Sequence, residues 1–123
     1  ADLELEVWGP DSAALLEEAA RGLYELMGVE ISDAERRHRR LEISAAEPEQ
    51  LLVSLLEELV YIADSEEMAF DGFFFNVDSG RALAHLEGGR ILGRRRDIKA
   101  VTYHGLEILS DHRGLRANIV FDV

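Results

Sequence analysis

Apolar positions recur along this chain with two periods, and each change of period marks a new element. Leu3, Leu5 and Val7 alternate with Glu4 and Glu6, the period of two that predicts a half-buried strand, and Gly9-Pro10 ends it. Leu15, Leu16, Ala19, Ala20, Leu23, Tyr24 and Met27 follow at three-and-four spacing, which predicts an amphipathic helix capped at Asp11 or Ser12 and stopped at Gly28. Arg37 to Ser44 returns to alternation, with Leu41 and Ile43 on one face and Arg40 and Glu42 on the other. A second helix opens at Glu47-Pro48, where proline in the first turn gives up no hydrogen bond, and ends near Asp64. From Leu51 to Ala63 it is apolar around more than half its circumference, so it is expected to be the more buried helix.

The remaining chain predicts strands. Met68 to Val77 carries Phe70, Phe73, Phe74 and Phe75 with a kink at Gly72, and Asp78-Ser79-Gly80 supplies a turn. Ala82, Ala84 and Leu86 alternate with Leu83, His85 and Glu87, and Gly88-Gly89 predicts a further turn before Ile91. A loop from Arg94 to Asp97, the stretch Lys99 to Ile108, a turn at Ser110 to Gly114 and a strand from Leu115 to Val123 complete the chain. The order β-α-β-α followed by several strands defines an α+β class, two helices packed on a mixed, mostly antiparallel sheet. There is no repeat or linker, so residues 1–123 read as a single domain, with Leu3, Leu5, Leu41, Ile43, Val101, Ile119 and Phe121 joining the helix faces in one core.

Charge changes the picture more than size does. The net charge of -12 repels nucleic acid and favours cationic partners, metal ions or a basic protein surface. Two arginine clusters, at Arg36, Arg37, Arg39 and Arg40 and at Arg94 to Arg96, interrupt the acid and read first as solvated faces. The chain has no cysteine, which excludes thiol catalysis and Cys-based zinc sites. Its apolar runs are far shorter than the about 20 residues a membrane span needs. No targeting signal is visible, so a cytoplasmic location is expected, with no membrane partner.

No nucleophile elbow surrounds a serine and no phosphate-binding glycine loop is present, so acyl transfer and nucleotide hydrolysis lack a motif. The polar run Lys99-Ala-Val-Thr102-Tyr103-His104-Gly-Leu-Glu107-Ile is unusual for a strand. Burying it unpaired would cost about 1 to 3 kcal/mol per polar group. Alternation would place Thr102 and His104 on one face and Tyr103 on the other, and His104 reads equally as a satisfied strand histidine or as a general base. Asp122 beside the carboxylate of Val123, with Asp2 if the two ends of the domain meet, would make a hard-oxygen site suited to calcium or magnesium; the competing reading is frayed ends.

The Lys99 to Ile108 run, followed by Ala117-Asn-Ile-Val-Phe-Asp122-Val123, resembles the archease family. Ala1-Asp2-Leu3 is similar to the end of that family's His-Thr-Ala-Asp opening, and Tyr24-Glu-Leu-Met27 and Leu55 to Asp64 are similar to its helices. Leu115 stands where an aromatic often precedes the final strand, and an ammonium at Ala1 would weaken cation binding beside Asp2. The resemblance implies a non-catalytic accessory protein that activates an RtcB-type RNA ligase in tRNA splicing or RNA repair, promoting guanylylation of the ligase histidine and repeated turnover. It implies a divalent-metal site of Asp2, Asp122 and Val123, calcium first and magnesium or manganese as alternatives. Lys99 would be functional beside it, and Thr102, Tyr103 and His104 belong to the same motif. Transfer RNA would be met indirectly, through the ligase. Two other functions compete: a metal-dependent phosphoester hydrolase using His104 as base, and a weak RNA-binding module using the arginine clusters.

Overall fold

The computed structural model describes residues 2–123; Ala1, and with it the expected ammonium beside Asp2, lies outside the described residues. The elements run β1 (Asp2–Gly9), α1 (Ser12–Met27), β2 (Glu30–Ile31), β3 (Arg37–Ser44), α2 (Pro48–Glu66), β4 (Met68–Asp78), β5 (Arg81–Gly93), β6 (Ala100–Thr102), β7 (Ile108–Asp111) and β8 (Gly114–Asp122). The α+β class stands, but the strands form two four-stranded sheets in place of one, and every pairing is antiparallel. In the first sheet β8 lies between β1 on one side and β6 and β7 on the other; in the second, β5 pairs with β2, β3 and β4. Helix α1 packs on β1 and β4 and helix α2 on β4 and β6, so the helices bridge the two sheets.

Local chemistry accounts for the boundaries. Asp11 accepts from the Ala14 amide at 2.9 Å and caps α1, and Gly28 ends that helix at φ 63°, a left-handed conformation glycine adopts without strain. Alternation in β1 turns Leu3, Leu5 and Val7 toward the helices and Asp2, Glu4, Glu6 and Trp8 outward. Leu5 lies over Gly22 of α1, where an added Cβ would come within 2.5 Å of it. Leu23, Met27, Leu52, Leu56, Leu59, Phe70, Ile119 and Phe121 fill the centre, and Leu5, Leu41 and Ile43 pack at its edge.

Two further expectations are corrected, and the kink expected at Gly72 is found. Gly88-Gly89 makes no turn, because β5 runs unbroken through it: a Cβ at Gly88 would lie 1.9 Å from the Ala69 carbonyl oxygen and one at Gly89 2.5 Å from that of Ser32, so the glycines admit neighbouring backbone. The irregularity at Gly72 is a bulge, since Phe70 and Gly72 face the consecutive residues Gly88 and Glu87 and leave Asp71 over. Lys99 to Ile108 is not one strand. Pairing stops at Thr102, and residues 103–107 form a turn closed by the Leu106 amide on the Tyr103 carbonyl at 3.0 Å, with Gly105 at φ 76°. None of its polar residues is fully buried, so the cost of burial that marked the run does not arise.

Candidate functional site

The β1–β8 ladder brings the first described strand against the last. Asp2 is the direct partner of Asp122, and Ala100 flanks Asp122 on the other side. Opposed residues in an antiparallel pair have Cβ atoms about 4.5 to 5.5 Å apart on one face, so both exposed carboxylates reach a common point. Neither forms an ion pair among the described residues. Lys99 is held next to them by its backbone amide, which donates to the Asp122 carbonyl at 2.8 Å. Val123, half-buried, follows directly.

Two unpaired carboxylates that repel each other suit a hard divalent cation, which takes six to eight oxygens in the case of calcium. The side chains alone leave that shell unfilled, for no group of three or more acidic or histidine side chains placed to hold a metal occurs among the described residues. Val123 carries the next backbone oxygens along the chain after Asp122.

The motif residues divide along the same face. Thr102 and His104 line a cleft of about 320 Å³ with Glu6, Glu107, Arg116 and Asn118. The cleft lies where the 103–107 turn separates β6, which pairs with residues 120–122 of β8, from β7, which pairs with residues 114–117. Tyr103 turns away and donates to Glu47 at 3.3 Å; partial burial, with the Glu47 and Glu49 carboxylates, pushes its pKa up. Glu49 also accepts from the Ile108 amide at 3.0 Å, so the start of α2 anchors both ends of the turn. Asp2 and Asp122 do not line the cleft holding His104.

The arginine clusters have structural partners that sequence reasoning missed. Arg94 donates to the Ala63 carbonyl at 2.9 Å and to Asp64 at 3.0 Å, Arg95 to the Glu25 carbonyl at 3.2 Å and Arg96 to that of Leu26 at 2.8 Å. Neither helix has a basic residue in its last turn, so this loop brings the cations that complement both C-terminal dipoles. Arg36 joins Asp71 and Glu87, and Arg39 grips Glu66 through two nitrogens at 3.2 and 2.6 Å, which holds that carboxyl below its usual pKa. The only sequence signal for the helix-end role was the position of the run shortly after β5.

Fold and site together define a two-helix α+β domain in which the β1–β8–β6/β7 sheet has a face free of helices with an acidic pair at its edge. The chain belongs to the archease family of accessory proteins, since the model of the Archease protein family matches residues 1–123. The protein archease of Methanothermobacter thermautotrophicus is 30% identical, with 100% of this chain and 93% of that protein covered. A probable protein archease of Mycobacterium tuberculosis is 28% identical over 100% of this chain and 70% of its own length. The crystal structure of an archease from Thermotoga maritima, described as a possible chaperone, shares the fold at a TM-score of 0.77 and 23% identity, covering 100% of this chain and 91% of that one. The solution structure of a Methanobacterium thermoautotrophicum protein does so at 0.76 and 29%, covering 100% and 93%.

Proposed function

We propose that this protein activates an RtcB-type RNA ligase, promoting guanylylation of the ligase and its repeated turnover without catalysing the joining step. Membership of the family supports the accessory role, and the cross-strand pairing of Asp2 with Asp122 is the observation that carries the site. Asp2, Asp122 and oxygens of Val123 would bind a divalent cation, calcium first, with magnesium or manganese able to replace it. When bound, that cation supplies positive charge with open coordination positions for groups on the ligase. Lys99, fixed through its amide on Asp122, adds a cation at the same edge suited to a phosphate oxygen.

Both alternatives lose support. A hydrolase would need His104 beside the carboxylates, and His104 opens onto a cleft they do not line. RNA binding through the arginine clusters would need free guanidinium groups, and Arg36, Arg39 and Arg94 are engaged with acids or helix ends.

The test reconstitutes the cognate ligase with GTP, metal and this protein and follows ligase guanylylation. The wild type is expected to accelerate it, and Asp122→Ala to lose at least tenfold of that acceleration while remaining folded. Equal acceleration by both would remove the carboxylate pair from the mechanism.

A further inference from the structure

The outward face of the β1–β8–β6/β7 sheet carries more than the acidic pair. In cross-strand register it reads Asp2–Asp122–Ala100, then Glu4–Val120–Thr102, then Glu6–Asn118 beside the cleft, then Trp8–Arg116–Leu109. Neither helix covers this face, because the core-facing residues of the same strands, Val7, Ala117, Ile119, Phe121 and Val101, point the other way. Trp8 is 49% and Leu109 50% exposed, a large apolar pair flanking Arg116 in one row. Asn118 is tied to Glu4 at 3.3 Å, whereas Arg116 and Glu6 make no side-chain bond among the described residues. Rows two residues apart are separated by about 6 to 7 Å along a strand, so the carboxylate pair and the Trp8 row lie about 20 Å apart, a span suited to one protein interface.

We infer that this face is the docking surface for a protein partner with a basic groove, the Trp8–Arg116–Leu109 row anchoring one end and the Asp2–Asp122 pair delivering its charge at the other. The inference rests on the ligase-activating reading and specifies how that partner is held. Charge complementarity selects the occupant. Asp2, Glu4, Glu6, Asp122 and Glu107 face outward on this sheet or its cleft, against Arg116 and the Lys99 cation at the edge. A protein that handles RNA presents a basic groove to the phosphate backbone, and an acidic sheet face fits that groove. Trp and Arg in the apolar row are the residue types that dominate binding energy once desolvated. The cleft between β6 and β7, flanked by Thr102, His104 and Asn118, accepts a side chain of the partner. That gives the Thr102–His104 run a role the carboxylate site does not.

The experiment measures binding of the full chain to its cognate ligase at two salt concentrations, alongside guanylylation. Trp8→Ala, Leu109→Ser and the double variant Glu4→Lys/Glu6→Lys are each expected to weaken binding at least tenfold. Glu57→Lys, on the exposed side of α2, should change it less than twofold, and wild-type affinity should fall with salt. Asp122→Ala, at the far end of the face from the Trp8 row, should lose stimulation. Circular dichroism of each variant separates lost binding from lost folding. Unchanged binding by all three face variants would overturn the docking surface while leaving the activator reading intact. A wild-type protein that neither binds nor stimulates the ligase would overturn both. A concentration-dependent dimer of the wild type that Trp8→Ala dissolves, with ligase binding unaltered, would give the face to a second copy of this chain instead.

Discussion

Asp2 and Asp122 face each other across a ladder, where like charges are unfavourable unless a cation lies between them. Calcium is therefore expected to raise the melting temperature of the wild type, by about 2.7 kcal/mol of added stability at a hundredfold excess over Kd, and to leave Asp122→Asn unmoved. In chelator the same variant should melt no lower than the wild type, and a calorimetric titration of both checks this. Tyr24 shows the opposite economy. It is 6% exposed, its hydroxyl lies near the Phe70 backbone without forming a hydrogen bond, and burial pushes its pKa well above the usual 10.0. The raised pKa means that the folded state keeps the phenol neutral where the unfolded chain ionises. The contribution is complete below about pH 10 and is lost as pH rises beyond it. Tyr24→Phe is expected to be neutral or stabilising by about 1 kcal/mol and to shift alkaline unfolding upward, as urea melts at pH 8 and above pH 10 would show.

Among the elements, those whose signal is local were legible in the sequence. The Asp11 cap, the Gly28 stop, the Pro48 start of α2 and the alternation of β1 and β3 all depend on neighbours within a turn or a strand. The Ser79-Gly80 turn does too: both residues have positive φ, 47° and 77°, the geometry of a tight two-residue hairpin. Where the sequence misled, the cause was distant. Gly88-Gly89 looked like a turn because glycine's other use, admitting the backbones of β4 and the segment after β2, depends on strands far away in the chain. Arg94 to Arg96 looked like a solvated cluster because their acceptors are helix ends roughly 30 and 70 residues back. Arg94→Ala should accordingly destabilise the protein by about 1 to 2 kcal/mol through loss of the α2 C-terminal contacts, whereas a surface arginine-to-alanine change would cost less than about 0.5 kcal/mol. Urea melts of Arg94→Ala and of Arg113→Ala, at the exposed β7–β8 turn, give the comparison.

At the scale of the molecule, the helices cover the inner faces of two sheets and leave the outward faces open, among them the one bearing Asp2 and Asp122. The candidate site was legible in part. Asp2 and Asp122 could be brought together on paper because the two ends of a single domain often lie close, but the cleft could not, since it exists only where β6 and β7 part along β8. No described helix is long and apolar enough to cross a membrane. As proposed, this protein acts on a ligase and joins nothing itself. Counting ligated RNA ends per ligase molecule, with and without this protein, tests that claim directly. The account predicts about one joining event per ligase alone, many with the wild type added, few with Asp122→Ala, and none with this protein in the absence of ligase. Joining or phosphoester cleavage by the purified protein alone, or a ligase count unchanged by its addition, would contradict it.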